Sequence, residues 1–159
     1  MMIPLAIAFT PNYFVQAATL LRSVLDACPD GEFRVVCLLT EEIPARMQQK
    51  LQRLGAGRLT LEFLPLKGRL QGVYIDPRYS EAASLRLLLP ELLPELDRII
   101  YLDCDIIVRQ DLARLWRETD LGDNYLGVVF EAAIEGSYKL LFSLCEEASK
   151  RAMSGLTTR

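Results

Sequence analysis

The most informative segment of this chain is Arg98-Ile-Ile-Tyr-Leu-Asp-Cys-Asp-Ile-Ile-Val108, an apolar and β-branched run that carries two carboxylates. Its lead-in from Ile99 to Leu102 is apolar throughout, which is typical of a strand buried on both faces of a parallel sheet. Such strands present ligand groups at their carboxyl edge, where Asp103 and Asp105 fall. Because alternate residues of an extended strand share a face, the two carboxylates are predicted to point to the same side.

Two carboxylates at an apolar sheet edge repel each other unless a cation lies between them. Oxygen ligands favour a hard ion, so Asp103 and Asp105 are predicted to bind Mn²⁺ or Mg²⁺. Other origins of an Asp-x-Asp pattern are a phosphatase nucleophile pair, a Walker B acid or acids that cap the next helix. The sequence has no Gly-rich Walker A loop, and a phosphatase pair is expected after the first strand and before Gly-Thr, whereas Ile106 and Ile107 follow here.

The bulk composition indicates one compact domain. The chain has 159 residues, of which 51% are apolar, so it can bury a core. Its formal net charge is −3 and it has no long basic run, which argues against a nucleic-acid partner. Any anionic partner should therefore be small.

The cysteines and the apolar segments predict a soluble protein of a reducing compartment. The four cysteines show no CxxC spacing and the chain has no histidine, so a zinc site is disfavoured and the thiols are expected to be reduced and mostly buried. No segment reaches the roughly 18 apolar residues that span a bilayer. Ala6-Ile7-Ala8 has the form of a signal cleavage site but lies too early and follows no basic residue, so we expect a cytoplasmic location.

Hydrophobic periodicity predicts alternating strands and helices. Strands are predicted over residues 3–8, 33–39, 59–63, 99–102 and 125–130. Helices are predicted over residues 14–25, 43–54, 80–89, 111–116 and 138–152. Residues 65–79, rich in Gly and Pro, are predicted to form a long loop. Pro90 is predicted to end the helix over residues 80–89. This order predicts an α/β fold with a mostly parallel sheet and helices on both faces.

The wider sequence resembles family 8 of the retaining glycosyltransferases, and the bacterial lipopolysaccharide galactosyl- and glucosyltransferases are the most similar members. The resemblance rests on the acid segment through Trp116 and on Thr119-Asp-Leu-Gly-Asp-Asn-Tyr-Leu-Gly127 after it. It extends to the N-terminal Ile7-Ala-Phe-Thr-Pro-Asn-Tyr13, to Pro90-Glu-Leu-Leu-Pro94, and to Arg86 at the place of a nucleotide-binding arginine. It covers nearly all of residues 3–130.

The resemblance implies a Rossmann-like GT-A fold, with residues 1–159 forming the donor-nucleotide half of such an enzyme and lacking the acceptor portion. The reaction implied is the metal-dependent, retaining transfer of galactose or glucose from a UDP-sugar to a hydroxyl of a glycan or a lipopolysaccharide. This reaction is compatible with an enzyme located at the inner face of the membrane, and the enzyme could form a homo-oligomer. The alternative is a non-catalytic module that binds a metal–nucleotide or a protein partner.

The resemblance also assigns residues to the site. Asp105 is implied as the direct Mn²⁺ ligand, and Asp103 as a ligand that also touches the ribose. Arg86 is implied as a cation facing the phosphates or the sugar, the alternative being an exposed helix arginine. The implied nucleotide-binding set is Ala8, Thr10, Asn12, Tyr13, Arg86, Asp103 and Cys104, in which Ala8 acts through its backbone and Tyr13 by stacking. Asn12 has a second interpretation as a helix cap.

Two features depart from the family pattern. Thr10 stands where members often carry an acid that reads the uracil edge, which weakens the expected uridine specificity. Relatives also continue beyond the position of Arg159, through acceptor-pocket residues and a histidine that completes the metal shell, whereas this chain has no histidine. No catalytic nucleophile is therefore assigned.

Overall fold

The structure is a computed structural model that describes residues 1–75, 80–124, 126–130 and 138–143. Its centre is a six-stranded sheet in the order β3-β2-β1-β4-β6-β5. The strands are β1 (Met2–Phe9), β2 (Glu32–Leu39), β3 (Leu59–Pro65), β4 (Arg98–Asp103), β5 (Leu126–Phe130) and β6 (Tyr138–Ser143). Strands β1 to β4 run parallel, whereas β6 is antiparallel to both β4 and β5. The predicted mostly parallel sheet is thus confirmed.

Five α-helices accompany the sheet within the described residues, together with 3₁₀ turns at Pro11–Tyr13 and Leu85–Leu88. The helices are α1 (Phe14–Ala27), α2 (Ala45–Leu54), α3 (Glu81–Ser84), α4 (Leu89–Leu92) and α5 (Leu112–Glu118). The sequence predicts α1, α2 and α5 within a few residues, because their apolar positions recur at helical spacing.

Alternation of apolar side chains along the strands produces two cores, one on each face of the sheet. On the first face, odd-numbered residues of β1 such as Leu5 and Ile7 pack with α1, α2 and Leu112 of α5. On the second face, Ala6 and Ala8 pack with Leu85 and neighbouring leucines of the 81–93 segment. Helical segments therefore cover both faces, as predicted.

The strand order reverses direction at β1. Strand β2 leads outward from one side of β1, whereas β4 pairs with its other side, and Ala8 of β1 lies opposite Asp103 of β4. In open α/β sheets, ligands bind at the carboxyl ends of the strands beside such a reversal, because the connections diverge there and leave a crevice. The loops after β1 and β4 flank this position.

The predicted helix over residues 138–152 is wrong for its first part, since Tyr138–Ser143 is strand β6. Its backbone pairs with Arg98, Ile99 and Ile100 of β4 and with β5. The leucines of this segment fit a helical spacing. The segment forms a strand instead because the free edge of β4 offers backbone hydrogen bonds, which a local sequence pattern does not reveal. Residues 144–152 lie outside the described part of the chain.

The predicted helix over residues 80–89 is divided into α3, a 3₁₀ turn and α4, and Pro90 does not end it. Pro90 instead lies in the first turn of α4, where a missing N–H costs no helical hydrogen bond. Ser80 caps α3 as predicted, because its side chain accepts a hydrogen bond from the backbone N–H of Ala83. Residues 66–75 of the predicted loop contain no strand or helix, and residues 76–79 lie outside the description.

Candidate functional site

The loop after β1 forms one side of the candidate site. Thr10 is extended, and its carbonyl accepts a hydrogen bond from the backbone N–H of Tyr13 at 2.9 Å, which closes the 3₁₀ turn. The side chain of Asn12 is exposed, and Tyr13 is 47% exposed at the start of α1. An aromatic ring held open at a helix start is available for stacking on a flat ligand.

The loop after β4 forms the other side. The regular strand ends at Asp103, yet the alternation continues, because Cys104, Ile106 and Val108 pack against the first core. Asp103 is partly buried and Asp105 is exposed. Asp103 and Asp105 thus alternate in sequence with residues that pack on the first core.

Two hydrogen bonds tie this loop to α1 and the residue after it. The backbone N–H of Val108 donates to the Ser23 hydroxyl at 2.9 Å, and the N–H of Leu112 donates to the Cys28 sulfur at 3.3 Å. Asp111 then caps α5 by accepting a hydrogen bond from the N–H of Ala113 at 2.8 Å. The segment that carries Asp105 is thus fixed to the scaffold at its far end.

Arg86 reaches the site from the second face of the sheet. Its Nη2 donates to Oδ1 of Asp103 at 3.1 Å, and its Nε donates to the carbonyl of Ala83 at 2.5 Å. Its guanidinium lies over the ring of Tyr101, 4.3 Å from the centroid. The side chain is only 15% exposed, so the alternative of an exposed helix arginine is wrong.

Tyr101 is a component of the site that the sequence reasoning missed. It is 4% exposed and lies two residues before Asp103 on the same strand. Burial raises the pKa of its hydroxyl, the Arg86 charge lowers it, and the Asp103 charge raises it. The i, i+2 relation within β4 was the signal that could have found this pair.

The structure corrects the alternative role of Asn12 and restricts how Cys104 could take part in the site. Asn12 lies within the 3₁₀ turn, whereas Thr10 precedes that turn and Tyr13 is the cap residue of α1, so the helix-cap interpretation of Asn12 is wrong. Cys104 directs its side chain to the first core, and burial together with the Asp105 charge raises the pKa of its thiol to about 11. Any contact of Cys104 with a nucleotide would thus be through its backbone.

The carboxylates fit a hard divalent cation as a partial ligand set. Asp103 is 31% exposed and bound by Arg86 through one oxygen, and Asp105 forms no ion pair with any described residue. Within the described residues, no group of three or more Asp, Glu, His or Cys side chains comes together for a metal. The described residues thus offer two carboxylate side chains at this edge, and such ions also accept water and phosphate oxygens as ligands.

Thr40 follows β2 at the same sheet edge. Its hydroxyl oxygen is buried and has no hydrogen-bond partner among the described residues. A buried hydroxyl without a partner costs stability. The sequence reasoning gave this residue no role.

The profile of glycosyl transferase family 8 matches residues 4–154. Among curated proteins, the chain is 28% identical over 118 residues to the glycosyltransferase GlyE of Streptococcus pneumoniae, which covers 72% of this chain and 28% of GlyE. It is 44% identical over 55 residues to the probable galacturonosyltransferase 14 of Arabidopsis thaliana, which covers 34% of this chain and 10% of that protein. The chain thus spans only a small part of the length of these relatives.

Solved structures of LgtC share the fold. A crystal structure of an active-site mutant of LgtC superimposes with a TM-score of 0.73 at 25% identity, covering 93% of this chain and 59% of that one. The galactosyltransferase LgtC in complex with donor and acceptor sugar analogues gives a TM-score of 0.71 at 24% identity, covering 99% of this chain and 67% of that one. In the described part of this chain, no helix is long and apolar enough to cross a membrane.

Proposed function

The chain belongs to glycosyl transferase family 8, and on that premise we propose that it binds a UDP-sugar through a divalent cation and transfers the sugar with retention of configuration. The sugar is a hexose, galactose or glucose, and the acceptor is a hydroxyl of a glycan or a lipopolysaccharide. The bound ion is Mn²⁺ or Mg²⁺. The cytoplasmic location predicted from the sequence is compatible with the free thiols of Cys28, Cys37 and Cys104.

One observation carries the proposal: the acid segment and the loop after β1 meet at the reversal of strand order. Ala8 and Asp103 lie opposite each other on paired strands, so the residues that follow them project from the same sheet edge. The crevice at this edge is the general ligand-binding position of open α/β sheets. The residues implied for the base and those implied for the metal therefore flank a single position.

The side chains at this position suit the parts of a nucleoside diphosphate. Tyr13 offers an exposed ring to a base, and Thr10 and Asn12 offer groups that donate or accept hydrogen bonds. Arg86 places a guanidinium beside Asp103, where its remaining donors can bind phosphate oxygens. The base would thus lie over the loop after β1 and the diphosphate near β4.

Asp103 and Asp105 would hold the cation. When bound, the ion supplies Lewis-acid and electrostatic stabilisation to the diphosphate as it leaves the sugar. Asp105 is exposed toward solvent and Asp103 is held by Arg86, so the two carboxylates differ in how firmly they are oriented. The more firmly oriented Asp103 is suited to fix the position of the ion.

Calorimetry tests the proposal directly. UDP is titrated into the protein with Mn²⁺ present and then with the metal removed by EDTA, with CDP as the matched control nucleotide. We expect UDP to bind in the presence of Mn²⁺ and to lose most of its affinity in EDTA. Equal heats with and without Mn²⁺, or no binding of UDP at all, would contradict the proposal.

A second measurement separates transfer from binding alone. The protein is incubated with UDP-galactose or UDP-glucose and Mn²⁺, and the release of UDP is followed with and without glycan acceptors. Release of UDP that depends on Mn²⁺ supports the transferase. Tight binding without any release supports the non-catalytic metal–nucleotide module instead.

A further inference from the structure

We propose that Arg86 couples the binding of the metal ion to the binding of the nucleotide. In the protein without nucleotide, its charge neutralises Asp103 and opposes a divalent cation that binds there alone. The diphosphate of the nucleotide offsets this opposition, because it attracts both the cation and the guanidinium. The inference rests on the proposed function and deepens it, since it states that the same site holds the ion tightly only together with a diphosphate.

The Arg86 guanidinium is fixed beside Asp103 by contacts within the protein. Its Nη2 donates to Oδ1 of Asp103 at 3.1 Å, its Nε donates to the carbonyl of Ala83, and its central carbon lies 4.3 Å from the centre of the Tyr101 ring. The contacts with Ala83 and Tyr101 remain when a cation binds Asp103, because neither group is a carboxylate for which the cation competes. The positive charge of Arg86 therefore stays next to the bound ion.

A cation at Asp103 also weakens the only ion pair that Arg86 forms among the described residues. The Arg86 side chain is 15% exposed, so water replaces the lost carboxylate only in part. A partly buried charge that loses its partner destabilises the state in which it is left. The ion alone thus binds against both the repulsion of the guanidinium and the loss of an existing contact.

The charges of these three side chains explain why a nucleotide reverses the balance. Asp103 and Asp105 carry two negative charges and Arg86 carries one positive charge, which leaves a surplus of one negative charge. A divalent cation more than cancels this surplus, so the group becomes positive when the ion binds alone. A diphosphate brings negative oxygens that bind both the ion and the forked donors of the guanidinium. It gives Arg86 a new partner in place of the one that the ion takes.

Coupling of this kind is reciprocal, because UDP raises the affinity for Mn²⁺ by the same factor by which Mn²⁺ raises the affinity for UDP. Direct contact between the ion and the diphosphate contributes to this factor. Arg86 adds to it by lowering the affinity for the ion alone and raising the affinity for the diphosphate. Removal of its charge should therefore change the two affinities in opposite directions. An arginine that only held Asp103 in place would weaken both when removed.

The test compares Arg86→Gln, which removes the charge, with Arg86→Lys, which keeps it. The Kd for Mn²⁺ without nucleotide is measured by electron paramagnetic resonance of free Mn²⁺, and the Kd for UDP at saturating Mn²⁺ is measured by calorimetry. Arg34→Gln is the matched control, since Arg34 is also held by carboxylates but lies on β2 and pairs with Glu62 and Glu95. Thermal unfolding checks that each variant is folded. If Arg86→Gln does not fold, Arg86→Met repeats the comparison with a longer apolar side chain.

We expect Arg86→Gln to strengthen Mn²⁺ binding without nucleotide about tenfold and to weaken UDP binding at saturating Mn²⁺ about tenfold, which are ordinary magnitudes for coupled sites. Arg86→Lys should bind Mn²⁺ alone as the wild type does, because its ammonium group keeps the charge. Arg34→Gln should lower the unfolding temperature and leave both Kd values unchanged.

Three results would overturn the inference. Unchanged or weaker Mn²⁺ binding without nucleotide in folded Arg86→Gln would show that the arginine does not oppose the ion, and the proposed function would still stand if the wild type binds UDP with Mn²⁺. An equal gain in Mn²⁺ affinity in Arg34→Gln would show a general effect of net charge. Wild-type protein that binds neither Mn²⁺ nor UDP would contradict the proposed function itself, and the role of Arg86 would fall with it.

Discussion

Two arginine–carboxylate clusters lie on the same sheet, and they differ in how completely their charges are paired. In the first, Arg34 of β2 binds Glu62 through two hydrogen bonds of 2.7 and 3.2 Å and Glu95 through one of 2.8 Å. In the second, Arg86 binds Asp103 at 3.1 Å, and Asp105 has no ion-pair partner among the described residues. Each cluster has one more carboxylate than arginines.

The comparison shows where an external cation is expected. The hydrogen bonds that Arg34 donates to Glu62 and Glu95 raise the pKa of its guanidinium, and both carboxylates are bound within the protein. At the carboxyl edge the surplus negative charge is on Asp105, which is exposed beside the strand reversal. Because ligands of open α/β sheets bind at this edge, Asp105 is the carboxylate that we expect to meet an external cation.

Asp105→Asn and Glu62→Gln test this difference most strongly. Asp105→Asn removes a metal ligand, so we expect Mn²⁺-dependent UDP affinity to fall on the order of 100-fold or more, beyond the usual cost of losing a supporting hydrogen bond. Glu62→Gln should leave it unchanged and lower the free energy of unfolding by about 1 kcal/mol, because the pair is partly solvent-screened. Calorimetry and urea unfolding measure the two effects. Equal UDP affinity in both variants would remove the distinction between the clusters.

The two arginines should behave in opposite ways when each is truncated. Arg86→Ala removes a cation near the diphosphate position, and we expect UDP affinity at saturating Mn²⁺ to fall about tenfold, since bonds to charged oxygens are strong. Arg34→Ala should reduce the free energy of unfolding by about 1 kcal/mol and leave UDP binding intact. The same calorimetric titrations test both variants. Wild-type UDP affinity in Arg86→Ala would contradict the role of this arginine.

The first cluster should contribute to stability in a pH-dependent way. The backbone N–H of Glu95 itself and then the hydrogen bond from Arg34 hold the pKa of Glu95 below its ordinary value of 4.5. A lowered pKa in the folded state adds stability above the unfolded pKa, and this stability is lost as the pH falls through the folded pKa. We therefore expect Glu95→Gln to unfold at lower urea than the wild type at pH 7. The difference between the urea midpoints of the two proteins should become smaller toward pH 3. A difference that grows toward pH 3 would contradict the predicted direction of the pH dependence.

Thr40→Val gives the smallest expected effect. The Thr40 hydroxyl is buried without a partner in the described structure, so its replacement by a methyl group of similar size should raise the free energy of unfolding by about 1 kcal/mol. UDP affinity should not change. A drop in stability would show that the hydroxyl has a hydrogen-bond partner in solution, and a drop in UDP affinity would show that the residue after β2 belongs to the site.

The sequence predicted the parallel half of the fold well, because each element there carries its own local signal. Buried strands such as β1 and β4 are continuous apolar runs, and α1 shows a clear helical period. Strand β6 was mistaken for a helix because its place is set by the open edge of β4, which is distant in sequence. The predicted role of Pro90 is wrong because a proline that starts a helix and one that ends it look alike in sequence.

The candidate site was predicted less completely than the fold. The acid segment identifies Asp103 and Asp105 as site candidates, since polar residues at the end of an apolar strand are conspicuous. The Arg86–Asp103 contact spans 17 positions and depends on how the 81–92 segment packs over the second face. In the sequence Tyr101 looks like one more residue of a buried strand, and only the position of Arg86 reveals its ring as part of the site.

The most direct test of the metal site is anomalous diffraction at the manganese absorption edge from crystals soaked with Mn²⁺ and UDP. We expect one strong peak at the carboxyl edge of the sheet, about 2.1 Å from carboxylate oxygens of both Asp103 and Asp105, with the UDP diphosphate on its open side. A peak at any other position would contradict the account. So would bound UDP with no manganese between these two carboxylates.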